Sequence, residues 1–212
     1  MFNICVGLCV ADFPRITLGP ENPLRVEKDE TAQLNCVVDA KPAVTSVKWM
    51  RNGRFIDTHF VHTIPRVSLQ DAGKYTCQAD NGLGQACNTC KEVIQLDVLY
   101  APVVTLPNSR EVNENADVEI DCRVDANPRP TSIQWYKEGD ERFIQNGPTL
   151  RLKGVTAFHN GRYICSASNI LQPTGKLIYC KLIGVDFLPM SRFITCIIFI
   201  SIKKSNEKVC QR

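Results

Sequence analysis

Asp71-Ala72-Gly73-Lys74-Tyr75-Thr76-Cys77 and His159-Asn160-Gly161-Arg162-Tyr163-Ile164-Cys165 are the same phrase written twice in one chain. Cys36 and Trp49 precede the first copy, and Cys122 and Trp135 precede the second. The offset is 86 residues from Cys36 to Cys122, from Val38-Asp39-Ala40 to Val124-Asp125-Ala126, from Thr45-Ser46 to Thr131-Ser132 and from Trp49 to Trp135. Beyond the tryptophans it becomes 88, which puts the extra residues near Glu138-Gly139-Asp140. A hairpin turn there absorbs them without moving a strand off register.

Around each tryptophan the letters alternate as in a half-buried strand. With Trp49 inward in Val47-Lys48-Trp49-Met50-Arg51, Lys48 and Met50 point outward, and Ile133-Gln134-Trp135-Tyr136-Lys137 repeats the pattern. Tyr75 and Cys77 share one strand face, as do Tyr163 and Cys165, so Cys36 with Cys77, and Cys122 with Cys165, can meet beneath the indole. An indole packed on an inter-sheet disulfide, with a tyrosine two residues before the second cysteine, is the immunoglobulin core signature. The predicted fold is therefore all-β: two tandem immunoglobulin-like β-sandwiches with Trp49, Tyr75, Trp135 and Tyr163 at their centres. Linking Cys36 to Cys77 closes 41 residues, a loop for which chain entropy predicts about 4 kcal/mol of stabilisation. Upstream of each tyrosine, His62-x-Ile64-x-x-Val67 occupies the positions of Leu150-x-Leu152-x-x-Val155. His62 reads as a partly exposed strand end rather than a ligand, because the sequence offers no second ligand at metal spacing.

Charge excludes some partners. Residues 12–100 and 101–175 each carry a net charge of −1, and residues 176–212 carry +5. Near-neutral repeats give no electrostatic footprint for nucleic acid. Eleven cysteines in 212 residues indicate an oxidising compartment. Cys5, Cys9, Cys87, Cys90, Cys180, Cys196 and Cys210 remain outside the two core pairs. Cys87-Asn88-Thr89-Cys90 lacks the strand-to-helix setting of a redox motif and the second pair of a zinc site. It reads as a loop insertion carrying either a small local bridge or free thiols. Asn88-Thr89-Cys90 also fits the rare Asn-x-Cys glycosylation acceptor, and no Asn-x-Ser/Thr occurs in the chain.

The expected organisation is an apolar segment at residues 1–11, a first domain at 12–100, a second at 101–183 and a basic, apolar tail at 184–212. Two readings fit residues 1–11: the remnant of a signal peptide or a ragged start. Asn81-Gly82-Leu83-Gly84 is answered by Asn169-Ile170-Leu171-Gln172, without glycine, and Lys176 to Ile183 stands in for the missing final strand. The tail is expected to lie outside the folded domain. Its apolar run Phe193 to Ile202 is too short for a helix to span a bilayer, so no transmembrane span is expected in this chain.

Cys-x12-Trp, Asp-x-Gly-x-Tyr-x-Cys and Ala79-Asp80-Asn81-Gly82-Leu83-Gly84 resemble intermediate-set immunoglobulin domains of cell-surface adhesion molecules. Val38 to Pro42, Val47 to Ile56, Val67 to Cys77 and Val124 to Pro128 are similar to the echinoid-like adhesion receptors of insects. The chain departs from that pattern at His159, where Asp is expected, at Cys87 to Cys90, and after Gly175. The resemblance implies a non-enzymatic extracellular adhesion or recognition module that binds another cell-surface protein, homophilically or heterophilically, as part of a longer membrane protein. Met50, Tyr136 and Ile164, outward on the tryptophan and second-cysteine strands, are the candidate contacts. A soluble secreted ligand-binding or decoy protein is the alternative. A titin-like intracellular spacer is a third reading, against which the paired core cysteines weigh. His59, His62 and His159 form no recognisable catalytic motif, and no cofactor, metal, nucleic acid or small-molecule substrate is expected.

Overall fold

The computed structural model describes residues 11–83, 87, 90–107, 109–171, 176–180 and 195–203. The chain divides into two compact units, residues 1–98 and 99–212.

In the first unit, β1 (Asp12–Gly19), β2 (Leu24–Glu27), β3 (Ala32–Lys41), β4 (Val47–Arg51), β5 (Arg54–Asp57), β6 (Val61–Ile64), β7 (Gly73–Ala79) and the first half of β8 (Lys91–Thr105) form two sheets. One has the order β1-β3-β6 and the other β8-β7-β4-β5, with β2 added to β8. Leu34, Cys36, Trp49, Tyr75, Cys77, Ile94 and Leu96 fill the space between them and are fully buried. The alternating letters cause this arrangement, since each strand sends every second side chain to the shared face. Cys36 and Cys77 are disulfide-bonded across the sheets with Cα atoms 6.4 Å apart. Cys87 and Cys90 form a local bridge with Cα atoms 5.5 Å apart, while Asn88-Thr89 lies outside the described residues. Asn52 (φ 51°) and Gly53 (φ 75°) make the tight β4–β5 hairpin, a pair suited to two successive left-handed positions.

The second unit begins with the rest of β8, which pairs with β11. It continues through β9 (Ser109–Asn113), β10 (Val118–Asp121), β11 (Arg123–Asn127), β12 (Ser132–Lys137), β13 (Asp140–Asn146), β14 (Thr149–Leu152), β15 (Gly161–Leu171), β16 (Lys176–Cys180) and β17 (Thr195–Lys203). β10 pairs with β14, and the opposite sheet runs β13-β12-β15-β17-β9. Trp135, Leu150, Val155, Tyr163 and Cys165 are completely enclosed. The Cys122–Cys165 disulfide spans 6.3 Å between Cα atoms.

The tail expectation needs correction. β16 pairs with β15 only over residues 167–171, which leaves the other half of that edge without a partner. β17 occupies it, with Thr195 to Ile200 opposite residues 161–166, and runs parallel to β9 on its far side. An open ladder edge recruits any segment of high strand propensity, and Thr-Cys-Ile-Ile-Phe-Ile-Ser-Ile-Lys is rich in β-branched and aromatic letters. Residues 195–203, assigned by sequence to a tail outside the fold, are thus a strand of the second unit. Among the described residues no helix is long and apolar enough to cross a membrane.

Tyrosine closes the turn before the second cysteine in both units. Tyr75 donates to the Asp71 carbonyl at 2.9 Å and Tyr163 to the His159 carbonyl at 3.0 Å. Burial, followed by the Asp140 charge, pushes the Tyr163 hydroxyl up to about 12, so it stays a donor. The turn itself is capped differently. Asp71 accepts from the Ser68 amide at 2.9 Å and the Ser68 hydroxyl at 2.7 Å. These bonds, with the Arg51 charge and against the opposing effect of burial, hold its carboxyl below the ordinary range. In the second unit the His159 ring takes over, its Nδ1 accepting the Thr156 amide at 3.0 Å.

A charged acceptor makes the stronger bond. Replacing the imidazole in His159→Asp is expected to stabilise the second unit by about 0.5–1 kcal/mol, read as a higher urea midpoint. Cys122→Ala/Cys165→Ala is expected to cost about 2–5 kcal/mol in the second unit. Chemical denaturation followed by the separate fluorescence changes of single-tryptophan Trp49→Phe and Trp135→Phe backgrounds checks both values.

Candidate protein-binding face

The outward face of the first unit's tryptophan sheet is set by register. Met50 of β4 lies opposite Phe55 of β5 and Thr76 of β7, and Thr76 lies opposite Val93 of β8. Phe55, Met50, Thr76 and Val93 therefore form one row across four strands. Phe55 is 61% exposed and Val93 41%, whereas Met50 and Thr76 are half-buried. The next outward row holds Lys48, Gln78 and Lys91. On the other side lie Lys74 and Gln95.

Taken by itself, the second unit builds a corresponding row. Tyr136 of β12 is opposite Ile144 of β13 and Ile164 of β15, and Ile164 is opposite Ile197 of β17. Ile144 is 57% exposed, and Tyr136 and Ile164 are half-buried. The Tyr136 hydroxyl donates to Gln134 Oε1 at 2.6 Å, so the phenol lies over its own strand. On one side the adjoining outward row is uncharged, Gln134, Asn146 and Ser166; on the other, exposed Arg162 pairs with Glu138 at 3.4 Å.

Of the residues singled out by sequence, Met50 sits centrally in the first row, and Tyr136 and Ile164 are neighbours in the second. The most exposed members, Phe55 and Ile144, escaped sequence reading. Each lies on the strand after the tryptophan strand, across a hairpin turn whose pairing register decides which face it takes.

His62, next to the start of β6 and half-buried, is the partly exposed strand end expected, and its ring lies between Trp49 and Tyr75, with centroids 6.2 Å and 6.1 Å away. Chain folding brings it an acidic partner that spacing did not reveal: Asp57 Oδ2 is 2.8 Å from His62 Nδ1, and Asp57 Oδ1 is 2.7 Å from His59 Nδ1. The Thr58 and His59 amides also donate to Oδ1 at 2.7 Å and 3.2 Å. Burial alone would raise the Asp57 carboxyl; the hydrogen bonds from His62, His59 and these amides outweigh it and hold the group far below the usual carboxylate range. Among the described residues no hydroxyl or thiol is hydrogen-bonded to either ring, and no cluster of His, Cys, Asp and Glu is arranged to hold a metal ion. The cluster fastens the connection between β5 and β6.

The immunoglobulin domain family model matches residues 14–81 and 101–169. The chain belongs to the immunoglobulin superfamily. Human cell adhesion molecule 4 is 28% identical over 177 residues, covering 73% of this chain and 45% of that protein. Mouse Kin of IRRE-like protein 2 is 31% identical over 160 residues, covering 73% of the chain and 22% of the relative. The chain thus spans less than half the length of these relatives. Among solved structures, the mouse nectin-like molecule 4 ectodomain superposes with a TM-score of 0.66 at 21% identity, covering 94% of this chain and 68% of that one. The first two domains of DIP-gamma give 0.63 at 19% identity, covering 89% and 97%. The two immunoglobulin units are non-enzymatic domains.

Within the immunoglobulin frame, the Asp57 cluster carries a pH signature. A carboxyl whose folded pKa is depressed contributes stability above its unfolded value of about 4, and loses that contribution as pH falls through the folded value. Asp57→Asn is expected to lower the first unit's stability at neutral pH and to flatten its loss of stability below about pH 4. Urea midpoints measured across pH 2–7 for both proteins check this; parallel curves would assign the acid transition to other carboxylates.

Proposed function

We propose that this chain is an extracellular cell-adhesion or recognition module, and that it binds another protein through the outward face of the tryptophan sheet in the first unit. The observation that carries this reading is the cross-strand row Phe55, Met50, Thr76 and Val93. Its side chains contribute nothing to the core, yet its two ends are widely exposed. An apolar centre with a polar rim is how protein interfaces are built. The relatives lend support, since cell adhesion molecule 4 bears adhesion in its name. Three disulfides favour an oxidising setting, and with it adhesion over an intracellular mechanical spacer. An anchored receptor and a secreted binder would use the same face.

Met50→Ser/Phe55→Ser removes the centre and the most exposed end of the row without touching a core side chain. Beads coated with the full chain are expected to adhere to cultured cells that display a partner protein. The double variant is expected to reduce that adhesion by about tenfold or more, corresponding to loss of one hot spot, with a thermal midpoint within about 2 °C of the parent. Undiminished adhesion would move the binding site elsewhere.

A further inference from the structure

We infer that the first unit's apolar row is built to receive a protein surface rimmed by carboxylates, and not a second copy of itself. This rests on the reading of that face as adhesive. The row is flanked on one side by Lys48 and Lys91 and on the other by Lys74, all three exposed. Successive outward rows lie about 7 Å apart along the strands, so each ammonium reaches the rim of whatever covers Phe55 and Met50. Among the described residues none of these lysines has a carboxylate at ion-pair distance. Two outward acids, Asp80 and Asp97, lie along the strands past these flanking rows and are engaged: Asp80 accepts the Gly82 amide at 2.9 Å, and Asp97 pairs with Arg25 at 3.8 Å. Glu92, next to Lys91, alternates to the opposite side of the strand.

The distribution on both sides excludes self-pairing on this face. Two copies docked about a two-fold axis present the same patch to each other. Because lysines border the row above and below, parallel and antiparallel alignment of the two rows both set an ammonium rim against an ammonium rim. Like charges at an interface rim cost affinity and slow encounter, whereas a carboxylate rim does the reverse. Recognition uses the face rather than the edge of β8, because Asn22 already closes that edge, donating to the Val93 carbonyl at 2.9 Å and accepting the Gln95 amide at 3.0 Å.

A charge-reversed copy of the full chain, Lys48→Glu/Lys74→Glu/Lys91→Glu, supplies a carboxylate-rimmed probe of matching shape. At about 0.1 M salt it is expected to bind the immobilised parent at least about tenfold more tightly than the parent binds itself, and the advantage should vanish near 1 M, where the screening length falls to about 3 Å. The reversed variant should melt with the parent, its three positions being exposed. Parent self-association as tight as the mixed pair, or no association in either, would overturn the inference. If the self-association is weakened by Phe55→Ser, the face remains adhesive and only its charge rule fails. If Phe55→Ser changes neither pair, the adhesive reading of the face fails as well.

Discussion

A buried indole must hand its N–H to a carbonyl, and much of each unit is arranged around that requirement. Trp49 donates to the His59 carbonyl at 2.9 Å and Trp135 to the Pro148 carbonyl at 3.4 Å. The amide of the first core cysteine reaches the same connection, Cys36 to the Phe60 carbonyl and Cys122 to the Pro148 carbonyl. Leaving such groups unpaired in the core would cost about 1–3 kcal/mol each, so the segment between the fifth and sixth strands of the first unit, and between β13 and β14 of the second, is held close. That anchoring fixes the strand before it. Phe55 and Ile144 are displayed at the sheet margin because the chain beyond them has been tied to the core.

The same dependence explains what the sequence made legible. Core letters recur because packing permits few substitutes: cysteines, tryptophans and corner tyrosines sit at repeated offsets, and the alternation around them places Met50 and Tyr136 correctly on the outer face. Exposed positions carry no such constraint. Phe55 and Ile144 lie beyond a hairpin turn, and which face each takes is set by the register of the folded pair rather than by the letters around the tryptophan. The Asp57 cluster was hidden for another reason, since a two-residue and a five-residue separation look unrelated until the chain turns. β17 was the largest departure. Nothing in Phe193 to Ile202 identifies a strand partner, because the vacancy it fills is a property of the edge of β15.

The two units carry corresponding apolar rows within different surroundings. In the first the border carries lysines on both sides, and in the second it is amide and hydroxyl on one side and an Arg162–Glu138 ion pair on the other. Domain duplication thus preserved the element that the core dictates and left the rim free to diverge. His159 shows the same freedom inside the tyrosine corner, where an imidazole performs the capping that a carboxylate performs at Asp71. The backbone asks only for an acceptor at that point, and two chemically distinct side chains meet the demand.

Asn22 closes the margin of β8 with one side-chain amide that donates and accepts as a neighbouring strand would. A molecule that meets others at high local density faces a hazard beyond specific binding, namely templated growth of its sheets into those of its neighbours. A carboxamide seated on the ladder, together with β2 paired further along β8, removes the template there and leaves the broad side of the sheet uncovered. Edge and face of the same sheet are thereby separated: the one is closed to sheet growth, the other stays open to contact.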